Sequence, residues 1–163
     1  MILERFKKIS AFVFDVDGVL TNGQVLVTES GEQLRQFDIK DGYAVKKLTD
    51  LGYPVAVITG GTCSGVEKRL RGLGIPTIFT GVHEKESVLE SWLKNEQIDP
   101  TQVLYMGDDM PDLPCLTKVG LPTCPADAVE EIKAASAYVS NRNGGGGAVR
   151  DVIEKTLKLQ GKW

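Results

Sequence analysis

Asp15 and Asp17 stand one residue apart at the end of the apolar run Phe12-Val13-Phe14, and Gly18 follows at once. An ionised carboxylate is costly to bury without a partner. Further along, Thr59-Gly60 closes a second apolar run, and Lys85 opens a helical stretch after a third. Gly107-Asp108-Asp109 closes a fourth, with Asp112 about one turn later. If those runs are parallel strands, all these residues meet on one rim. Clustered carboxylates repel one another and resist ionisation; a divalent cation removes the conflict. A set without His or Cys favours a hard ion, and Mg²⁺ suits few protein ligands with several waters. A hydroxyl, backbone N–H groups and a lysine beside that ion suit a phosphoryl group, whose transfer is mostly positioning and charge neutralisation. Gly18 lets the chain turn sharply after the aspartates. Asp15 can then face phosphorus as nucleophile, and Asp17 can act as general acid and then base, through an aspartyl-phosphate.

The elements that must carry these residues are short apolar runs alternating with helical patterns. Ala11–Phe14, Pro54–Thr59, Thr77–Gly81, Val103–Gly107 and Ala137–Ser140 read as strands, with a weaker candidate at Gly120–Cys124. Tyr43–Leu51, Ser64–Leu73, Glu84–Glu96, Asp112–Lys118 and Ala148–Leu159 have helical spacing; in the last, Val149, Val152, Ile153 and Leu157 share one face. Apolar strands without polar alternation, separated by helices, predict a Rossmann-like α/β parallel sheet covered on both faces. Such sheets bind ligands at the carboxyl ends of their strands. One segment breaks the rhythm. "QVLVT" and "QLRQFDI" alternate like strands around the turn cluster "ESGE", which predicts a β-hairpin inserted at about residues 22–40.

The 163 residues fit one domain spanning 1–163, enough for a proper core. A formal net charge of −3 argues against a general nucleic-acid or membrane-surface binder. No apolar run approaches the roughly 18 residues of a membrane span, and the start "MILERFKKIS" does not read as a signal peptide. Cys63, Cys115 and Cys124 form no CxxC pair, so reduced thiols in a cytoplasmic protein are expected.

The ordered set Asp15-Val16-Asp17-Gly18-Val19-Leu20-Thr21, Thr59-Gly60, Lys85 and Gly107-Asp108-Asp109-Met110-Pro111-Asp112 resembles the haloacid dehalogenase superfamily of phosphotransferases. The resemblance implies that Asp15 is nucleophile and Mg²⁺ ligand, that Asp17 is acid/base and ligates through its backbone carbonyl, and that Asp108 is the third protein ligand. Asp109 and Asp112 would support it, and Thr59, Gly60 and Lys85 would hold phosphoryl oxygens. Across nearly the whole chain, "FDIKDGYAVKKL", "GDDMPDLPCLTKVGL", "PADA" and "GGGGAVRDVIE" are similar to a group of small sugar-acid phosphatases without a cap domain. That likeness implies a homotetramer built on the hairpins, with a neighbouring subunit completing each site. It also implies Lys40, Asp41 and Arg69 near the substrate. The implied substrate is 3-deoxy-D-manno-octulosonate 8-phosphate, used in lipopolysaccharide synthesis. Its alternatives are a nine-carbon keto-deoxy sugar acid 9-phosphate or a non-catalytic tetrameric module of the same fold.

Two positions depart from the group. Gly61 stands where the eight-carbon enzymes place Arg and the nine-carbon enzymes Glu, and Gly146 stands where a charged residue usually interrupts the glycines. The tail after Gln160 is also short. Plainer readings compete for several residues: Asp109 and Asp112 as helix caps, and Lys85 and Arg69 as solvated helix charges. His83 reads as a surface-loop residue, and Cys63 as a thiol with nothing to activate it. The "GGGG" run reads either as a flexible loop or as N–H groups that meet an anion at the last helix.

Overall fold

The computed structural model describes all 163 residues. Six strands form one parallel sheet: β1 (Ala11–Phe14), β4 (Val55–Ile58), β5 (Thr77–Phe79), β6 (Val103–Met106), β7 (Leu121–Cys124) and β8 (Tyr138–Val139). Their spatial order is β5-β4-β1-β6-β7-β8. The chain therefore winds outward both ways from β1, whose Phe14 pairs with Val57 of β4 and Met106 of β6. The carboxyl end of β1 lies at the centre of the rim, between those of β4 and β6.

The uninterrupted apolarity of β1 follows from burial on both faces. Phe12 and Phe14 join a core with Val45 and Leu48 of α2 (Ile39–Asp50) and Val149, Val152, Ile153 and Leu157 of α7 (Ala148–Leu159). Ala11 and Val13 point the other way, into a second core with Leu89, Trp92 and Leu93 of α4 (Lys85–Asn95) and Ile132 of α6 (Glu130–Ala135). The remaining helices are α1 (Ile2–Lys8), α3 (Ser64–Gly72) and α5 (Leu113–Leu116). None is long and apolar enough to cross a membrane.

The hairpin is shorter than its alternation suggests. Only β2 (Leu26–Val27) and β3 (Gln33–Leu34) pair, antiparallel, with an isolated bridge from Thr21 to Phe37. The helix expected from Tyr43 starts at Ile39, because the Asp38 side chain caps it by accepting from the N–H groups of Lys40 and Asp41. Lys40 and Asp41 thus open a helix instead of closing a strand. The helix expected over Asp112–Lys118 shrinks to α5, preceded by a 3₁₀ turn at Met110–Asp112. Pro111 and Pro114 lack the N–H that a continuous helix would use there. Helices α1 and α6 were not anticipated; at seven and six residues they show too few turns to display a period.

Candidate active site

Asp15 follows β1 directly, its N–H donating to Met106 O of β6 at 3.1 Å. That bond fixes the aspartate at the sheet's edge, where it is only 7 % exposed. The loop beyond it is tight: Val19, Leu20 and Thr21 all donate N–H to Val16 O. Gly18 sits at φ +81°, and a Cβ there would fall 1.9 Å from Asp108 Oδ2. Only glycine allows the β1 and β6 loops to approach this closely.

Three carboxylates converge. One oxygen each of Asp15, Asp108 and Asp112 lie within 4.8 Å of one another. Lys85, at the start of α4, is buried between two of them, with Nζ 3.0 Å from Asp15 Oδ2 and 2.8 Å from Asp112 Oδ1. Asp112 is completely buried and also accepts from the Tyr105 hydroxyl at 2.7 Å and from Asp108 N–H at 3.1 Å. Its role is therefore not that of a helix cap. Asp109 does cap, accepting from Met110 N–H at the 3₁₀ turn.

The electrostatics show charge in excess of its compensation. Burial, then the neighbouring Asp112 charge, pushes the Asp15 carboxyl up to about 8 despite Lys85. Burial, with Asp112 and Asp109 beside it, pushes Asp108 up to about 7. Burial disfavours the Lys85 ammonium, yet Asp15 and Asp112 outweigh it and hold its pKa above the ordinary value. One lysine thus faces three carboxylates, which is what a divalent cation would correct.

A hollow of about 430 Å³ opens over this cluster, lined by Asp15, Asp17, Thr59, Gly60, Lys85 and Asp108 among others. Thr59 is buried at the end of β4, its N–H donating to Phe79 O and its Oγ1 accepting from Gly61 N–H. Asp109 and Asp112 also line the hollow, so the residues of the four motifs meet in one place. His83 is exposed, as a loop residue should be, but it too stands on the wall of this hollow.

The other candidates lie elsewhere within the chain. Asp41 is buried, and its carboxylate accepts from the N–H groups of Gly147 and Arg150 at the start of α7. Burial raises its pKa to about 6. This corrects the idea that those N–H groups await an external anion, because Asp41 already fills the place. Lys40 lines a separate hollow with Arg142, Gly146 and Arg150. Arg69 lies over Gly42 of α2, where a Cβ would fall 2.5 Å from its Nη2, and it does not line the hollow above Asp15.

Two features escaped the motif reading. Arg35, just after β3, donates from Nε to Asp17 Oδ1 at 2.7 Å. No spacing rule marks an arginine in "QLRQF"; the fold alone turns it inward. Cys63 is more activated than its sequence neighbours suggest. The N–H groups of Val66 and Gly65 at the start of α3, with Arg35 nearby, lower its pKa.

The chain resembles proteins already known. A family model of haloacid dehalogenase-like hydrolases matches residues 77–153. The 3-deoxy-D-manno-octulosonate 8-phosphate phosphatase KdsC of Yersinia pestis is 35 % identical over 161 residues, covering 99 % of this chain and 86 % of the relative. The phosphatase of the same name from Moraxella catarrhalis, solved with a magnesium ion, a phosphate ion and a KDO molecule, superposes with a TM-score of 0.94. It is 34 % identical, over 98 % of this chain and 92 % of that one. A cobalt-bound deoxy-D-mannose-octulosonate 8-phosphate phosphatase from Haemophilus influenzae gives 0.92 at 35 % identity, over 97 % and 92 %.

Proposed function

This chain belongs to the haloacid dehalogenase-like hydrolases and is a phosphatase, and on that premise we propose that it hydrolyses 3-deoxy-D-manno-octulosonate 8-phosphate with Mg²⁺ through an aspartyl-phosphate. The observation that carries the reading is the convergence of Asp15, Asp108 and Asp112 beside a single buried lysine. An all-carboxylate set with a charge deficit fits a hard divalent ion. Asp15 and Asp108 would hold it by side chain, with the Asp17 backbone carbonyl. Mg²⁺ supplies charge neutralisation at the phosphoryl oxygens when bound.

The protein groups then divide the work. An Asp15 oxygen attacks phosphorus, and the bond from phosphorus to the ester oxygen breaks. Asp17 gives a proton to that oxygen, which leaves as the alcohol. A water then attacks phosphorus, loses its proton to Asp17, and the phosphorus–Asp15 bond breaks to release phosphate. Thr59 and Gly60 at the end of β4, with Lys85, hold the phosphoryl oxygens, and Lys85 with Tyr105 keeps Asp112 in place.

The eight-carbon substrate is supported by likeness to phosphatases named for it, one of them solved with KDO. A homotetramer built on the hairpin fits its exposed apolar surface: Leu26, Val27 and Leu34 are 67 %, 62 % and 48 % exposed. Three free cysteines fit a reducing compartment such as the cytoplasm. The test is phosphate release from 3-deoxy-D-manno-octulosonate 8-phosphate with and without Mg²⁺, in the unmodified enzyme and in Asp15→Asn. Turnover that survives Asp15→Asn, or needs no divalent ion, would overturn the mechanism.

A further inference from the structure

The carboxylates of the site are not held alike. Asp15 is fixed by Val16 N–H at 2.7 Å and by Lys85, and Asp112 by Lys85, Tyr105 and Asp108 N–H, all from the ends of the sheet and its adjoining helix. Asp17 receives hydrogen bonds from one residue only, Arg35. The guanidinium approaches side-on, with Nε at 2.7 Å from Oδ1 and Nη2 at 3.5 Å from Oδ2, while Nη1 anchors to Gln33 O at 3.3 Å. Such a fork fixes the plane of a carboxylate, which a single donor cannot do.

The arginine is placed for this. Its side chain is 9 % exposed, although its hairpin neighbours Leu26, Val27 and Leu34 lie open to solvent. It enters a small recess between β1 and β4, lined by Val16, Asp17, Thr59, Gly61, Cys63 and Thr80. Gly61 leaves that recess free. A Cβ there would stand 3.6 Å from Asp17 Oδ2 and 3.8 Å from Arg35 Nη2, in ordinary contact with the pair.

We propose that Arg35 is a positioning residue for the phosphatase reaction: the hairpin reaches over the rim and aims the Asp17 carboxylate at the leaving-group oxygen. The proposal rests on the reading of Asp17 as acid/base. It gives the hairpin a part in the chemistry of its own subunit, separate from any part in assembly. No new bond or redox step is added; the arginine only fixes where the proton donor stands.

The test compares two esters in the full-length enzyme with Mg²⁺, as single-turnover phosphoryl transfer to Asp15. One is p-nitrophenyl phosphate, whose leaving group departs as an anion; the other is a primary-alkyl sugar phosphate, whose leaving oxygen must be protonated. A positioned acid contributes about 10²–10⁴-fold to such a step, and a misplacement of about 1 Å can cost 10²-fold. Arg35→Gln should therefore slow transfer from the alkyl ester about 100-fold and from the aryl ester by about threefold at most. Arg35→Lys keeps the charge but not the fork, so it should recover less than about tenfold of the alkyl loss. The amplitude of the aryl burst counts correctly folded sites in each variant. Equal losses with both esters, no loss with either, or full recovery with lysine would overturn the proposal. Asp17→Asn separates the underlying reading: if it spares the alkyl ester, Asp17 is not the acid, whereas an alkyl loss in Asp17→Asn without one in Arg35→Gln removes Arg35 alone.

Discussion

Replacing Lys85 by Met tests whether the site is built on unbalanced charge. The side chain is 4 % exposed, and its Nζ bridges Asp15 at 3.0 Å and Asp112 at 2.8 Å. Methionine keeps most of the apolar stem and removes only the ammonium. Breaking a buried ion pair by deleting one partner costs about 3–5 kcal/mol, because the remaining charge stays buried without compensation. For a chain of this size each kcal/mol moves Tm by about 2–4 °C, so the drop is about 6–20 °C. It must also depend on pH. The Asp15 carboxyl titrates near 3.9 in the unfolded chain. In the fold Asp15 is already raised to about 8, and loss of the lysine raises it further. A carboxyl raised on folding lowers stability progressively as pH rises from its unfolded value to its folded pKa, so parent and variant share this loss up to about pH 8 and diverge above it. The variant's deficit should therefore be larger at pH 8.5 than at pH 5.5. The assay is thermal unfolding of both proteins in EDTA across that range. At pH 8.5, Mg²⁺ should restore part of the loss by supplying the missing positive charge. A deficit equal at both pH values would mean lost packing, and a deficit under about 1 kcal/mol would mean that the pair behaves like a surface bridge; either refutes the reasoning.

Metal affinity should fall with acidification, since Asp15 at about 8 and Asp108 at about 7 must shed protons before ligating; calorimetric titration with Mg²⁺ should show binding at least about tenfold weaker at pH 6 than at pH 8. The glycine loop should tolerate change unevenly. A Cβ on Gly144 would fall 1.8 Å from Gly18 O in the aspartate loop, whereas one on Gly146 meets nothing nearer than Asn143 O at 3.3 Å. Gly144→Ala should cost about 1–3 kcal/mol and most of the activity, and Gly146→Ala much less stability, as read by thermal unfolding and turnover. Asp41→Ala orphans the N–H groups of Gly147 and Arg150 and should destabilise by about 1–3 kcal/mol in denaturant titrations.

The sheet and its rim were legible because both rest on short-range rules. Ala11–Phe14 and Ala148–Leu159 emerge with the bounds their patterns predict. Residues at the ends of parallel strands must meet, so Asp15, Thr59 and Asp108 could be grouped from order alone. What stayed hidden depends on contacts between segments far apart in sequence. Asp41 and Gly147 are 106 residues apart, and nothing in "IKDG" says that its carboxylate will cap α7. Arg35 and Asp17 are 18 apart across a loop, so their meeting depends on how the hairpin folds back. The glycine loop, which the sequence left open between a flexible segment and an anion contact, is decided by contacts of the same kind. Gly145 N–H donates to Val19 O and Gly144 N–H to Asp127 Oδ1, so the loop braces the aspartate turn.

These contacts divide the site into a fixed half and an adjustable half. Asp15, Asp108, Asp112 and Lys85 hang from β1, β6 and α4, are tied to one another, and sit against glycines that admit no side chain. A Cβ on Gly107 would fall 2.4 Å from Asp112, as one on Gly18 would strike Asp108. Change there disturbs the phosphoryl chemistry itself. Asp17, Arg35 and Gly61 form the other half, which depends on a hairpin of two-residue strands and on a glycine with open space beside it. A side chain on residue 61 would enter that space within reach of Thr59, Asp17 and Arg35 at once. Under the proposed mechanism, selectivity for the leaving group can therefore be altered at position 61 and on the hairpin without moving Asp15 or Asp108.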